Sequence, residues 1–368
     1  MTTLHAADAE VAAVPATPPA RQRRLGLDLL RVISIAGVLA IHTFGYMVGN
    51  DDVRGSAAWW VAVTLDLGVV WVVPVFVMIS GALVLHPRAH AQGPWAFYRK
   101  RFARILPALV FWHIFYVVAY QMLLRGSDLS LRQVEQMLVD GRVATAMYFL
   151  WLIAGLYLVA PILAAFVSDN VRRAAILAAA VLGWTMAVYV VTRLTNYHGY
   201  ARPISLTALT LWWPYVGYFL AGWALHSVSL GRRGKIIVGG VAAILIAEGV
   251  WQWGTAADHP QLEVLSPFGA FGTTVVIVSL CVFAFFASTL RNAAADSRAA
   301  RWLIKASDAS FGVFLVHIFL LEVVLQVVPG VRAGSSLGAL AVTYVVVLAA
   351  SFAVSMIAAR IPYVRAVF

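Results

Sequence analysis

Apolar runs bounded by charged or turn-forming residues recur from one end of the chain to the other. Ten can be marked, at 25–48, 57–85, 104–124, 146–167, 172–192, 206–227, 236–253, 268–290, 309–328 and 337–359. Each is long enough to cross hydrocarbon as a helix. The pattern predicts an all-α polytopic membrane protein, a bundle of about ten transmembrane helices occupying 21–368. Residues 1–20, rich in Ala, Pro and Thr and without the apolar core of a signal peptide, read as a disordered tail. The stretch 125–145 is amphipathic and long enough to lie on a membrane surface.

Composition agrees with this picture and removes one alternative. Of 368 residues, 62% are hydrophobic and 12% charged, with mean hydropathy +0.85, which excludes a soluble enzyme carrying one anchor. The formal charge of +11 does not indicate nucleic acid, because the basic residues fall in short clusters between apolar runs. Sorted onto alternate sides of ten spans, 19 Lys and Arg share the side of the N-terminus and seven the other, with Arg31 left inside a span. The excess of positive charge predicts that both termini are cytoplasmic. The single cysteine, Cys281, lies in an apolar run and carries neither a disulfide nor a thiolate metal site.

The first span holds three groups that a bilayer should exclude: Asp28, Arg31 and His42. Eleven residues of helix separate Arg31 from His42, three turns plus roughly 20°, with a rise of about 16 Å, so the two share a face at different depths. Asp28, one turn before Arg31, is expected to pair with it. His42 reads either as a packing histidine bonded to a carbonyl or as a general base for a hydroxyl, a role that suits a neutral imidazole. Asp66, in the second span, is the nearest candidate to orient that imidazole, and it reads equally as a packing carboxylate. The second span contains Pro74 and ends at Ser80-Gly81, where small residues permit close helix approach. Arg99, Lys100, Arg101 and Arg104 form either a grip for phosphates or a positive anchor on the cytoplasmic side. Trp151, Tyr157, Trp212 and Trp213 suit sugar stacking or interfacial packing. Glu248, Gln326 and His113 are expected to be hydrogen-bonded within the bundle or to line a cavity, and His317 and Glu322 to face different ways. No metal-ligand spacing is present.

Several of these segments together resemble acyltransferase family 3 of membrane-bound acyltransferases. They are Leu27-Asp28-Leu29-Leu30-Arg31 followed after ten residues by His42, then Val73-Pro74-Val75-Phe76-Val77-Met78-Ile79-Ser80-Gly81, then Phe97-Tyr98-Arg99-Lys100-Arg101-Phe102-Ala103-Arg104-Ile105-Leu106-Pro107. The segment from Tyr148 to Pro161, Tyr215 to Gly222, and Ser310 to His317 extend the likeness in order along the chain. The wording around Pro74 is closest to the branch that contains enterobacterial-antigen O-acetyltransferases. Phe149 and Phe314 stand where that family usually carries His and Tyr.

The resemblance implies ten spans in a bacterial-type plasma membrane and transfer of an acyl group from acyl-CoA, commonly acetyl-CoA, to a hydroxyl. The acceptor would be a cell-surface glycan, glycolipid or other extracytoplasmic molecule, with no metal. It places the core pair at Arg31 and His42 and the donor grip at Arg101 and Arg104, with Arg99, Lys100 and Ser80 beside them. His317, Trp151 and Tyr157 are then candidates for the acceptor. The chief alternative is a proton-coupled transporter or flippase using Asp28, Arg31, His42 and Asp66 as a polar pathway. A ligand-binding receptor or scaffold is a third reading, but it would not need a polar line across the bilayer.

Overall fold

The computed structural model describes residues 23–167, 170–256, 259–265, 267–290 and 296–368, and the expected N-terminal tail lies outside them. No strand occurs among the described residues. The first helix, α1 (Leu25–Val48), is central: it packs against α2 (Ala57–Leu67), α3 (Val72–Val84), α11 (Thr273–Ala287), α12 (Arg298–Val327) and α14 (Leu337–Ala358). Between these lie α4 (Gly93–Phe115), α5 (Leu131–Val139), α6 (Tyr148–Val167), α7 (Val171–Tyr197), α8 (Val216–Leu225), α9 (Arg232–Gly254), α10 (Pro260–Leu265) and α13 (Pro329–Arg332). Large apolar side chains cover the outer faces of α4, α7, α9 and α14, for example Ile114, Trp184, Ile244 and Val342. A coat of that extent belongs in lipid, and the chain is a multi-pass membrane protein.

Eight segments among the described residues are long and apolar enough to cross a bilayer. The expected spans at 206–227 and 268–290 are shorter as built. The first condenses to a 3-10 turn, Trp213–Tyr215, leading into the ten residues of α8, and the second to the fifteen of α11.

Two other departures follow from local chemistry. The second expected span is interrupted at 68–71, ahead of its proline. Gly68 ends α2, Trp71 donates its indole N–H to the Gly68 carbonyl at 2.9 Å, and Pro74 falls in the first turn of α3, where a missing N–H costs little. The third begins early, at Gly93 with Pro94 beside it. The basic residues 99–104 therefore lie within the helix, most of them ahead of the expected start at 104. Its end unwinds into a π-helical stretch, Tyr116–Leu124. The amphipathic segment expected on the surface contains α5, fixed by a reciprocal cap between Ser130 and Gln133.

Close approach, expected at Ser80-Gly81, occurs where α3 crosses α8. A methyl group on Gly81 would collide with the Phe219 carbonyl oxygen, and one on Gly222 with that of Met78. Glycine on each helix thus lets the two backbones touch and draws α3 inward, bringing Ser80 to the interior space described next.

Candidate active site

A cavity of about 760 Å³ lies between α1, α3, α4, α6 and α12. From α1 it is lined by Arg31, Val38, Ile41 and His42, the face that an eleven-residue helical separation predicts. One end is cationic, with Arg31 joined by Lys100, Arg101 and Arg104 of α4. The other continues past His42 to Thr145, Tyr148, Tyr215 and Ala270, next to the loops that precede α6 and α11. Phe76, Phe149 and Phe314 wall the middle, with ring centres 6.1 Å apart for Phe76–Phe149 and 5.3 Å for Phe149–Phe314.

The cations at the first end keep their charge available. Arg101 lies over two rings, 5.5 Å from the centre of Tyr157 and 5.7 Å from that of Phe97, and Arg104 is 5.8 Å from Phe311. Aromatic faces hold a guanidinium flat without occupying its N–H edges. Among the described residues, neither arginine, nor Lys100, nor Arg31 forms an ion pair. Asp308 also lines the cavity, but its carboxylate is bonded to Arg23 at 2.6 Å.

The expected Asp28–Arg31 pair does not form. Asp28 accepts from Arg23 Nε at 2.9 Å and Nη2 at 3.1 Å, and from Ser307 Oγ at 2.7 Å. Arg31 Nη1 donates to the same hydroxyl at 3.3 Å. The carboxylate faces α12 and the chain entering α1, which places Arg23 within reach. Arg31 is left tethered through Ser307 and pointing into the cavity.

His42 is half-buried on the cavity wall and makes no hydrogen bond to a described residue. Its neighbour is His317 of α12, with ring centres 5.5 Å apart and ring planes tilted by 36°. His317 is fully buried; its Nδ1 is 2.7 Å from the Phe314 carbonyl and 3.2 Å from that of Val313, while its Nε2 has no partner among the described residues.

Asp66 is elsewhere. It is buried on α2, with Oδ2 3.4 Å from where a β-carbon on Gly45 would stand, off the cavity wall and not bonded to His42.

Of the other expected residues, Ser80 and Tyr157 line the cavity, whereas Arg99 is exposed and does not. Trp151 donates to His113 Nε2 at 2.8 Å, joining α6 to α4, and does not line the cavity. Trp212 donates to the Leu209 carbonyl, and Trp213 is exposed. Glu322 pairs with Arg332, with Arg125 at 3.9 Å, and Glu248 accepts from Thr274 at 3.4 Å. Gln326 donates to the Leu124 carbonyl at 3.2 Å. No group of three or more His, Cys, Asp or Glu able to hold a metal occurs among the described residues.

Sequence reasoning missed the wall supplied by α12. Ser307, Ser310, Phe311 and Phe314 fall at helical spacing on one face, but the helix begins at Arg298, eleven residues before the expected span. That i, i+3, i+4, i+7 pattern was the available signal. Tyr148, Tyr215 and Phe76 also line the space without having been singled out for it.

A cavity walled by membrane helices, cationic at one end and carrying deeper in a histidine with no hydrogen bond to a described residue, defines a multi-pass membrane protein with an internal reaction or binding chamber. The acyltransferase domain model of acyltransferase family 3 matches residues 24–360, and the chain belongs to that family of membrane acyltransferases. No curated protein and no solved structure matches it.

Proposed function

We propose that the protein moves an acyl group, most simply acetyl, from cytoplasmic acyl-CoA to a hydroxyl on an extracytoplasmic acceptor such as a cell-surface glycan or glycolipid. The observation that carries this is one continuous cavity with cations that have no ion-pair partner among the described residues at its mouth and His42 about 16 Å deeper. CoA thioesters have that layout: phosphates at one end and the reactive carbonyl at the tip of an extended arm. Lys100, Arg101 and Arg104 would hold the phosphates, Arg31 and Ser80 would flank the arm, and the thioester would lie beside His42.

The chemistry needs one base. The acceptor hydroxyl gives its proton to a neutral His42 nitrogen as its oxygen bonds to the thioester carbonyl carbon. The carbon–sulfur bond then breaks, and the departing thiolate takes the proton back from His42. The space of about 760 Å³ is in the range of small-molecule sites, and its far end reaches Thr145 and the Tyr148 and Tyr215 side chains. In this reading α8 and α11 complete ten crossings, both termini are cytoplasmic in a bacterial-type plasma membrane, and donor and acceptor enter from opposite faces.

Purified protein in nanodiscs, supplied with acetyl-CoA, should release free CoA slowly, and faster when acceptor is added. His42→Ala should lower release more than 100-fold while CoA binding persists. Unchanged release by that variant would overturn the assignment, as would proton-coupled uptake into liposomes without acyl-CoA.

A further inference from the structure

The fully buried ring of His317 is held by a donor–acceptor arrangement that admits one neutral form. Its Nδ1 lies 2.7 Å from the Phe314 carbonyl oxygen and 3.2 Å from that of Val313. Carbonyl oxygens only accept, so Nδ1 carries the hydrogen, and in the neutral ring Nε2 is left as a bare acceptor. That acceptor is buried with no partner among the described residues.

A second histidine in the same bundle shows how such an acceptor is ordinarily satisfied. His113 has its Nδ1 2.7 Å from the Leu109 carbonyl, and its Nε2 receives the Trp151 indole N–H at 2.8 Å. His317 has the same backbone anchor, but the ring beside it belongs to His42.

We infer that His317 is a positioning residue for His42: its free Nε2 accepts the single N–H of neutral His42 and so keeps the other His42 nitrogen bare and aimed into the cavity. This rests on the acyl-transfer reading and assigns within it the orienting role expected of Asp66. A ring-centre separation of 5.5 Å is close to that of two imidazoles joined by an N–H···N bond, whose nitrogens stand about 3 Å apart. No hydrogen bond to a described residue holds His42 away from that contact, and catalytic hydrogen bonds commonly tighten when substrate closes the site. The bond also favours the protonated state in transit, because a His42 imidazolium would donate to His317 while holding the acceptor's proton.

The test has one arm that needs no turnover. In protein labelled with ¹⁵N-histidine, His317 should appear as the Nδ1–H tautomer and His42 as one neutral tautomer, and His317→Leu should turn His42 into a mixture of two. In the kinetic arm, His317→Leu should lower kcat about 30-fold or more with KM for acetyl-CoA within threefold. His317→Gln, whose amide oxygen can take the place of Nε2, should recover most of the loss. An Nε2–H tautomer at His317, an unchanged His42 signal in the Leu variant, or equal activity of the Gln and Leu variants would overturn the inference. A wild-type protein that shows the tautomers but transfers no acyl group would instead sink the acyl-transfer reading alone.

Discussion

Ser307 on α12 donates its hydroxyl to Asp28 on α1 at 2.7 Å, and this bond ties the cationic mouth of the cavity to the fold. The same oxygen accepts from Arg31 at 3.3 Å, so one hydroxyl keeps a carboxylate and a guanidinium apart yet linked. Ser307→Ala should leave both groups short of a partner and cost about 1–2 kcal/mol, seen as a lower thermal midpoint in detergent. Arg31 would lose its tether, and KM for acetyl-CoA should rise several-fold with little change in kcat. A variant unchanged in both measurements would show that Arg31 needs no such anchor.

That linkage marks the boundary of what the sequence can show. Helical periodicity placed Arg31 and His42 on one face because both lie on one uninterrupted helix, where 100° per residue is enough. Partners contributed by other helices were another matter. Asp28 was expected on Arg31 by its i, i+3 spacing, but Arg23 folds back to it and Ser307 arrives from 279 residues away. His317 was visible as a candidate, whereas its place beside His42 depends on how α1 crosses α12. Apolar continuity also concealed structure: nothing in the hydropathy of 57–85 marks the break at Gly68–Trp71. Conversely, Ser307 and Asp308 fell outside the expected span at 309–328 although they belong to the helix that walls the cavity.

The α3–α8 crossing supplies a second prediction. Gly81→Ala and Gly222→Ala each push a methyl group into a facing carbonyl oxygen, and neither backbone can yield without opening the crossing. Each should destabilise by about 1–3 kcal/mol or more, the range for overpacked contacts. The double variant should cost less than the two single effects together, because one widening of the crossing accommodates both. Gly183→Ala, on α7 with open space around it, is the control and should be neutral or slightly stabilising. Thermal midpoints of the four purified variants decide the matter; additive losses would mean that the two glycines do not share a contact.

The donor site can be separated from a general positive surface. Arg101 and Arg104 line the cavity, whereas Arg99 is exposed and does not. Losing a charged hydrogen bond typically costs about 1.5–3 kcal/mol. Arg101→Ala combined with Arg104→Ala should therefore weaken CoA binding at least tenfold in a calorimetric titration. Arg99→Ala should change it less than twofold. Binding to the wild type should also weaken as salt is raised from 50 to 500 mM, and the double variant should show a shallower dependence. Equal effects of Arg99 and Arg101 would return the cluster to the role of a membrane anchor.

Asp66 separates acyl transfer from ion-coupled transport. A carboxylate buried among membrane helices is the usual mark of a proton pathway, and a pathway through Asp28, Arg31, His42 and Asp66 would need it ionisable. Here it stands against Gly45, three residues past His42 on α1 and about 60° around the helix from it, yet it does not line the cavity. It makes no hydrogen bond or ion pair to a described residue, so Asn, with the same shape and no charge, should be accepted or even raise stability. Asp66→Asn is expected to keep acyl transfer within about threefold of wild type, with an unchanged or higher thermal midpoint. Loss of transfer in a variant that still folds and binds CoA would mean that this carboxylate orients His42 after all, and the positioning role would pass from His317 to Asp66.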